Sequence, residues 1–180
     1  MLDVHVLTMP TTRPVWTAKR RASIAAAIDA AGFPVVLHEI PGVVGHIGQG
    51  RAAGYSLGTQ PYVTYVDDDD WVEAGAFSAL HAAMLSGHDA ICPGETEVLG
   101  WHRTKRSTPH HLICYRREVA NAFQHKDWAV CGDLALANTA HDRLTVADYS
   151  YHHRIYLSGG RRLRAANPNE LERANAESAA

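Results

Sequence analysis

The chain has 180 residues, of which 46% are hydrophobic, so it can form the core of one globular domain. A formal net charge of −2 excludes a strong overall attraction to nucleic acid or to acidic membranes, and any such affinity would have to come from a local patch. No apolar stretch approaches the roughly 20 residues of a membrane span and the N-terminus has no signal-peptide pattern, which predicts a soluble, cytoplasmic protein.

The first forty residues predict a strand, a helix and a second strand. Residues 3–9 favour a strand, which residues 10–14 end with two prolines around small hydroxyl side chains. Residues 15–31 place apolar side chains broadly on one helical face, and Gly32 is a typical helix stop. A second strand follows over residues 33–40. Strand, helix and strand in this order predict parallel pairing with a right-handed crossover.

A glycine-rich stretch and a short helix lead to the next strand. Residues 42–50 hold four glycines, but they form neither GxGxxG nor a Walker motif, which indicates a flexible approach loop. Residues 49–57 predict a short helix. Residues 62–66 combine β-branched and aromatic side chains, which is typical of a buried parallel strand.

Four consecutive aspartates, Asp67 to Asp70, follow that strand directly. Ligands of open α/β sheets bind beyond the carboxyl ends of the strands, and carboxylates are preferred ligands of Mg²⁺ and Mn²⁺. Converging like charges also require a cation to offset them. The alternatives are a solvated acidic turn that caps the next helix, and a structural calcium loop, although the EF-hand spacing is absent.

The second half of the chain gives weaker patterns. Apolar residues from Val72 to Met84 recur at helical spacing, and Ser86 and Gly87 end that helix. Residues 94–111 are polar and basic without a clean period, which predicts an irregular loop that either meets a phosphate-bearing acceptor or is simply solvated. The other predicted elements are strands over 89–93, 112–115 and 150–157, helices over 116–125 and 134–140, and a frayed helix or tail from about residue 165.

Over residues 4–157 the order of these signals resembles the GT-A glycosyltransferases, in particular the inverting, nucleotide-sugar-dependent family 2. The loop Pro10-Thr11-Thr12-Arg13 looks like the family's nucleotide-binding start, and Arg51-Ala52-Ala53-Gly54 is similar to its Arg-Asn-x-Gly helix, with Ala52 in place of Asn. Residues 62–70 look like its apolar strand and DxD motif. The resemblance implies an α/β, Rossmann-like sandwich with a mostly parallel central sheet, a catalytic domain over residues 1–164, and a polar tail or helix over 165–180.

The resemblance also implies a site for a UDP- or GDP-linked sugar and for Mn²⁺ or Mg²⁺. Asp69 and Asp67 would bind the metal together with His153, although His152 fits nearly as well and an alternating strand would leave one of the two histidines without a role. Asp68 competes with both aspartates for their roles. The implied donor-binding residues are Pro10, Thr11, Arg13, Glu39, Arg51, Asp67 and Asp68.

The implied catalytic base is Asp133, at the start of a late helix, where the helix dipole keeps a carboxylate ionised. It would deprotonate the acceptor hydroxyl in a single displacement at the anomeric carbon, although it could equally be an ordinary helix cap. Asp127 and Asp142 are the reserve residues for this role. One rival function is a nucleotidyltransferase on a related sheet, although residues 10–14 match its usual glycine-rich start poorly. The other is a non-catalytic nucleotide-sugar-binding domain, because Asp133 has no acidic neighbour and Ala52 replaces the usual Asn.

Overall fold

The structure of the protein, a computed structural model, describes residues 1–44, 46–99, 102–105, 111–122, 142–146 and 151–154. Within these ranges the strands are β1 Leu2–Thr8, β2 Val35–Pro41, β3 Tyr62–Tyr65, β4 Trp71–Val72, β5 Ala90–Cys92, β6 Glu95–Leu99, β7 His102–Lys105, β8 Cys114–Arg116, β9 Arg143–Thr145 and β10 Tyr151–Arg154. The helices are α1 Pro14–Asp29, α2 Ile47–Tyr55, α3 Ala76–Leu85 and α4 Arg117–Ala122.

The main sheet has six strands in the order β2-β1-β3-β8-β5-β9. Strand β1 pairs in parallel with β2 and with β3, and β5 pairs in parallel with β9. Only β8 runs the other way, since it is antiparallel to both of its neighbours. The sequence-based prediction of an α/β fold with a mostly parallel central sheet is therefore confirmed.

The opening βαβ unit forms because α1 covers the apolar face of β1, which carries Leu2, Val4 and Val6, whereas the opposite face buries the polar side chains of Asp3 and His5. Residues 2–7 of β1 are all buried, as a strand between two layers requires. Helix α1 begins at Pro14, which needs no hydrogen-bond partner for its nitrogen in the first turn, and it buries Ile24 and Ala27. Gly32 adopts a φ of 74° just beyond the helix, so the predicted stop is confirmed.

A second sheet has four strands, in the order β4-β10-β6-β7. Strand β6 pairs with β7 as an antiparallel hairpin, and β10 pairs in parallel with β6 and antiparallel with β4. The expectation of an irregular loop over residues 94–111 is therefore wrong for β6 and β7. Strand β6 is held by pairing with β10, which lies far later in the chain, and β7 is held by β6, so no local sequence pattern reveals either strand.

One predicted helix begins later than the sequence suggests. Val72 lies in β4, where it pairs with Tyr151, and its N–H donates to Ser23 Oγ at 3.2 Å. Helix α3 therefore begins only at Ala76. The predicted helix over 134–140, the tail over 165–180 and the end of the strand predicted over 150–157 lie outside the described residues. None of the described helices is long and apolar enough to cross a membrane.

Candidate functional site

The four aspartates occupy a tight turn at the carboxyl end of β3. The Asp70 N–H donates to the Asp67 carbonyl at 3.2 Å, which closes a four-residue turn and brings its first and last residues together. Asp68 and Asp69 lie at the tip of this turn. Asp68 and Asp70 are buried, whereas Asp67 and Asp69 are partly exposed. The turn therefore separates the four carboxylates instead of pointing them all at one place.

Asp67 and Asp70 meet His111, which precedes β8. One potential ligand atom from each side chain lies within 4.8 Å of the others, and we refer to these three residues as the Asp–Asp–His cluster. The Nε2 atom of His111 lies 3.5 Å from Oδ2 of Asp67. Two carboxylates and an imidazole in such proximity form a donor set that suits a divalent cation.

The two aspartates of the cluster are held by buried or nearly buried side chains from other elements. Arg51, on α2, donates to Asp67 Oδ1 at 2.7 Å, and its guanidinium lies 4.0 Å from the centroid of the Tyr65 ring. The hydroxyl of Tyr151, on β10, donates to Asp70 Oδ2 at 2.6 Å. Tyr151 thus connects the second sheet to the aspartate turn.

His111 is enclosed by Glu95 and Tyr151. Nδ1 of His111 lies 3.0 Å from Glu95 Oε1, and the backbone N–H of His111 donates to Glu95 Oε2 at 3.3 Å. The rings of His111 and Tyr151 stack with an interplanar angle of 6° and a centroid distance of 5.4 Å. Burial, together with the nearby carboxylates of Asp70 and Asp67, raises the pKa of Tyr151 well above its ordinary value, so its hydroxyl stays a hydrogen-bond donor.

Asp68 ties the aspartate turn to the loop that follows β1. Its Oδ2 accepts hydrogen bonds from the N–H of Met9, at 2.6 Å, and from the hydroxyl of Thr12. Burial raises the pKa of Asp68, and these two hydrogen bonds oppose the rise. Pro10, Thr11 and Arg13 are exposed on the same loop. Asp68 thus fixes the loop in which the resemblance places three donor-binding residues.

Glu39, at the carboxyl end of β2, lies between two arginines of α1. Its Oε1 accepts hydrogen bonds from Arg20 Nη2, at 2.7 Å, and from Arg21 Nε, at 2.9 Å, while its Oε2 accepts from Arg21 Nη2 at 2.7 Å. The hydrogen bonds from Arg21 lower the pKa of Glu39, partial burial opposes this, and the charge of Arg20 contributes to the lowering. The carboxylate that the resemblance assigns to nucleotide binding is therefore ionised and fixed in place.

Some of the residues implied by the resemblance lie apart from the cluster or outside the described residues. Asp69 lies on the same turn but is not a member of the Asp–Asp–His cluster. His152 and His153 lie on β10, beside β4 and β6, and the structure describes only their backbone. Asp142 is exposed and pairs with His88 Nδ1 at 2.9 Å. Asp127 and Asp133 lie outside the described residues.

Four residues of this site were not singled out from the sequence, namely Asp70, Glu95, His111 and Tyr151. The spacing of Asp67 and Asp70 is a usable signal, because the first and last residues of a tight turn lie close together. The other three have no local signal, because they come from β6, from the segment before β8 and from β10, which are distant along the chain.

No protein-family model matches this chain, and no curated protein matches its sequence. Its fold is similar to that of solved structures of TarS from S. aureus. TarS 1-349 gives a TM-score of 0.60 at 14% identity over 85% of this chain and 60% of that chain. The complex of TarS 1-349 with UDP-GlcNAc gives 0.63 at 13% identity, over 96% and 64% of the two chains. The complex with UDP gives 0.62 at 14% identity, over 86% and 60%.

This chain therefore spans less than two thirds of the length of the TarS 1-349 chains that it matches. A more distant similarity is to the bifunctional IspDF from Campylobacter jejuni, with a TM-score of 0.50 at 12% identity over 81% of this chain and 49% of that chain. At such low identities the comparisons establish the fold alone. They confirm the GT-A fold predicted from the sequence.

Proposed function

We propose that this chain binds a UDP-linked sugar and transfers the sugar to an acceptor hydroxyl. The observation that supports this most directly is the Asp–Asp–His cluster at the carboxyl end of β3, in a fold shared with TarS structures that contain UDP and UDP-GlcNAc. Ligands of open α/β sheets bind beyond this edge of the sheet. A diphosphate placed there requires positive charge beside the acidic turn.

The chemistry of the donor set fits a divalent cation, Mn²⁺ or Mg²⁺. Within the described residues, the carboxylates of Asp67, Asp70 and Glu95 lie near His111, and Arg51 pairs with Asp67. Buried carboxylates are costly unless they are compensated, and an ion shared with the substrate phosphates would contribute to that compensation. When bound, the ion would stabilise the negative charge that develops on the leaving diphosphate.

The loop after β1 is the proposed donor-binding segment. Pro10, Thr11 and Arg13 are exposed there, and the Arg13 guanidinium lies 4.8 Å from the centroid of the Trp16 ring, which orients it. Glu39 would present a fixed carboxylate to the nucleotide. Arg51 would act differently, since its guanidinium is nearly buried and orients Asp67 instead of facing a ligand directly.

The remaining parts of the mechanism rest on the family resemblance. Asp133 would accept the proton of the attacking hydroxyl while the bond from the anomeric carbon to the diphosphate breaks, with inversion. Asp69 and His153 would complete the metal site.

Arg103 and Lys105 are exposed on β7 and would favour a polyanionic acceptor, whose affinity would then fall as the salt concentration rises.

The test is release of UDP from UDP-GlcNAc, measured with and without Mn²⁺. We expect metal-dependent release by the wild type, a large loss in Asp70→Asn, and wild-type behaviour in Glu118→Gln, whose side chain is 80% exposed on α4. Release of pyrophosphate from a nucleoside triphosphate, without any sugar, would instead indicate a nucleotidyltransferase. Binding of UDP-GlcNAc without turnover across a panel of acceptors would indicate a non-catalytic domain.

A further inference from the structure

Both carboxylate oxygens of Glu95 contact the same residue, His111. The Glu95 side chain is fully buried on β6, with Oε1 3.0 Å from His111 Nδ1 and Oε2 accepting the His111 backbone N–H at 3.3 Å. A buried carboxylate is costly unless it is compensated, so its placement requires a partner. Here the ring and the backbone of His111 together serve as that partner.

This placement determines which ring nitrogen of His111 carries the proton. A lone pair on Nδ1 would be repelled by a carboxylate oxygen at 3.0 Å, so we assign the proton to Nδ1, although the contact is not aligned as an ideal hydrogen bond. Nε2 then carries the lone pair. Nε2 lies 3.5 Å from Asp67 Oδ2, a distance longer than a well-formed hydrogen bond. Such a separation is suitable for two atoms that bind the same metal ion.

We propose that Glu95 is a positioning residue that holds His111 with Nε2 toward Asp67 and Asp70, and that this makes the site selective for a transition-metal ion such as Mn²⁺ over Mg²⁺. The proposal deepens the function proposed above, since it rests on the same cation site. Histidine ligands commonly donate their second ring N–H to a carboxylate, which fixes the ring and increases the basicity of the ligating nitrogen.

The selectivity follows from the donor set. Mg²⁺ prefers an octahedral shell of oxygen ligands and gives up water reluctantly, whereas imidazole nitrogen suits first-row transition metals. Ligands on opposite sides of one such ion lie about 4.2 Å apart, given metal–ligand distances of about 2.1 Å. The donor atoms of the cluster, within 4.8 Å of one another, need only a small adjustment to reach this spacing.

The competing explanation is a structural ion pair, in which a protonated His111 simply neutralises Glu95 and Asp67. In that arrangement Nε2 carries a proton and cannot coordinate an ion. The two explanations are separated by a direct observation of nitrogen coordination, without reference to turnover.

The experiment uses the full chain in metal-free buffer, with Mn²⁺ as the probe and no nucleotide. Titration followed by electron paramagnetic resonance gives the Mn²⁺ affinity, competition gives the Mg²⁺ affinity, and pulsed spectra report coupling between Mn²⁺ and an imidazole nitrogen. We expect Mn²⁺ to bind at least tenfold more tightly than Mg²⁺, with a nitrogen coupling that His111→Asn abolishes. Glu95→Gln should weaken Mn²⁺ binding roughly 10- to 100-fold, and the exposed control Glu118→Gln should match the wild type.

Two results would overturn the proposal: a wild-type Mn²⁺ complex without nitrogen coupling, or a folded Glu95→Gln variant with wild-type Mn²⁺ affinity. If Glu95→Gln fails to fold, Glu95→Asp takes its place, since it keeps the charge but withdraws the carboxylate by one methylene. Wild-type Mn²⁺ affinity in a folded Glu95→Asp variant would also overturn the proposal. Because no nucleotide sugar is present, these results are independent of the UDP-release assay. Loss of the metal proposal would leave the transferase proposal standing, and the reverse also holds.

Discussion

Replacing Tyr151 by phenylalanine removes one oxygen from the centre of the candidate site and leaves the ring stacked on His111. That oxygen donates to Asp70 Oδ2 at 2.6 Å and accepts the Asp67 N–H at 3.4 Å, in a fully buried position. A hydrogen bond to a charged group contributes about 1.5–3 kcal/mol, and its loss leaves the Asp70 carboxylate buried without this donor. We therefore expect the free energy of unfolding to fall by about 2–3 kcal/mol, and Tm by roughly 4–12 °C for a chain of this size.

The matched control is Tyr62→Phe. The Tyr62 hydroxyl donates at 2.9 Å to the neutral backbone carbonyl of His88, between α3 and β5, and also interacts with the side chain of Arg116, which is 39% exposed. Its loss should cost only about 0.5–1.5 kcal/mol. Both variants are compared with the wild type by urea unfolding in metal-free buffer, and Mn²⁺ titration should show about tenfold weaker binding for Tyr151→Phe alone. If Tyr151→Phe is no more destabilising than Tyr62→Phe and binds Mn²⁺ normally, Tyr151 does not hold Asp70 as a charged ligand.

Three further predictions concern other parts of the site. Asp70→Asn should weaken Mn²⁺-dependent UDP binding more than Asp69→Asn, because only Asp70 belongs to the Asp–Asp–His cluster; equal losses by calorimetry would contradict this placement. Asp133→Asn should leave UDP binding intact and lower turnover about 10²–10⁴-fold, and a fully active variant would exclude Asp133 as the base. The contact with Arg21 lowers the pKa of Glu39 from its ordinary value of 4.5, so this ion pair stabilises the fold above pH 4.5, and the stability is lost as the pH falls through the lowered pKa. In thermal melts the wild type should therefore lose stability relative to Glu39→Gln below about pH 4.5. Parallel curves for the two proteins would show that the ion pair adds no stability.

The opening of the fold could be predicted because its signals are local. A first strand rich in leucine and valine, a helix between Pro14 and Gly32, and a strand of β-branched and aromatic residues before the aspartates each follow from neighbouring residues. Tertiary contacts agree with these preferences, so β1, α1 and β3 lie close to where the sequence places them. The resemblance to GT-A enzymes rests largely on this half of the chain.

The second sheet could not be predicted because its strands depend on long-range pairing. Strand β6 contains two glutamates, and β7 is polar and exposed along residues 103–105. Neither has the alternation or the β-branched run that indicates a strand. Their order comes from β10, which pairs Tyr151 with Glu95 in register and so also brings together two residues that hold the candidate site.

The aspartate turn shows why the sequence overstates the mutual repulsion of the four carboxylates. Four adjacent carboxylates predict strong mutual repulsion, but the structure gives three of them separate partners: Arg51 for Asp67, the loop after β1 for Asp68, and Tyr151 for Asp70. The hydroxyl that contacts Asp70 is neutral, and the buried carboxylate of Glu95 lies 3.0 Å from Nδ1 of His111. The proposed cation site therefore depends on Asp67, Asp70 and His111, which only the folded chain brings together.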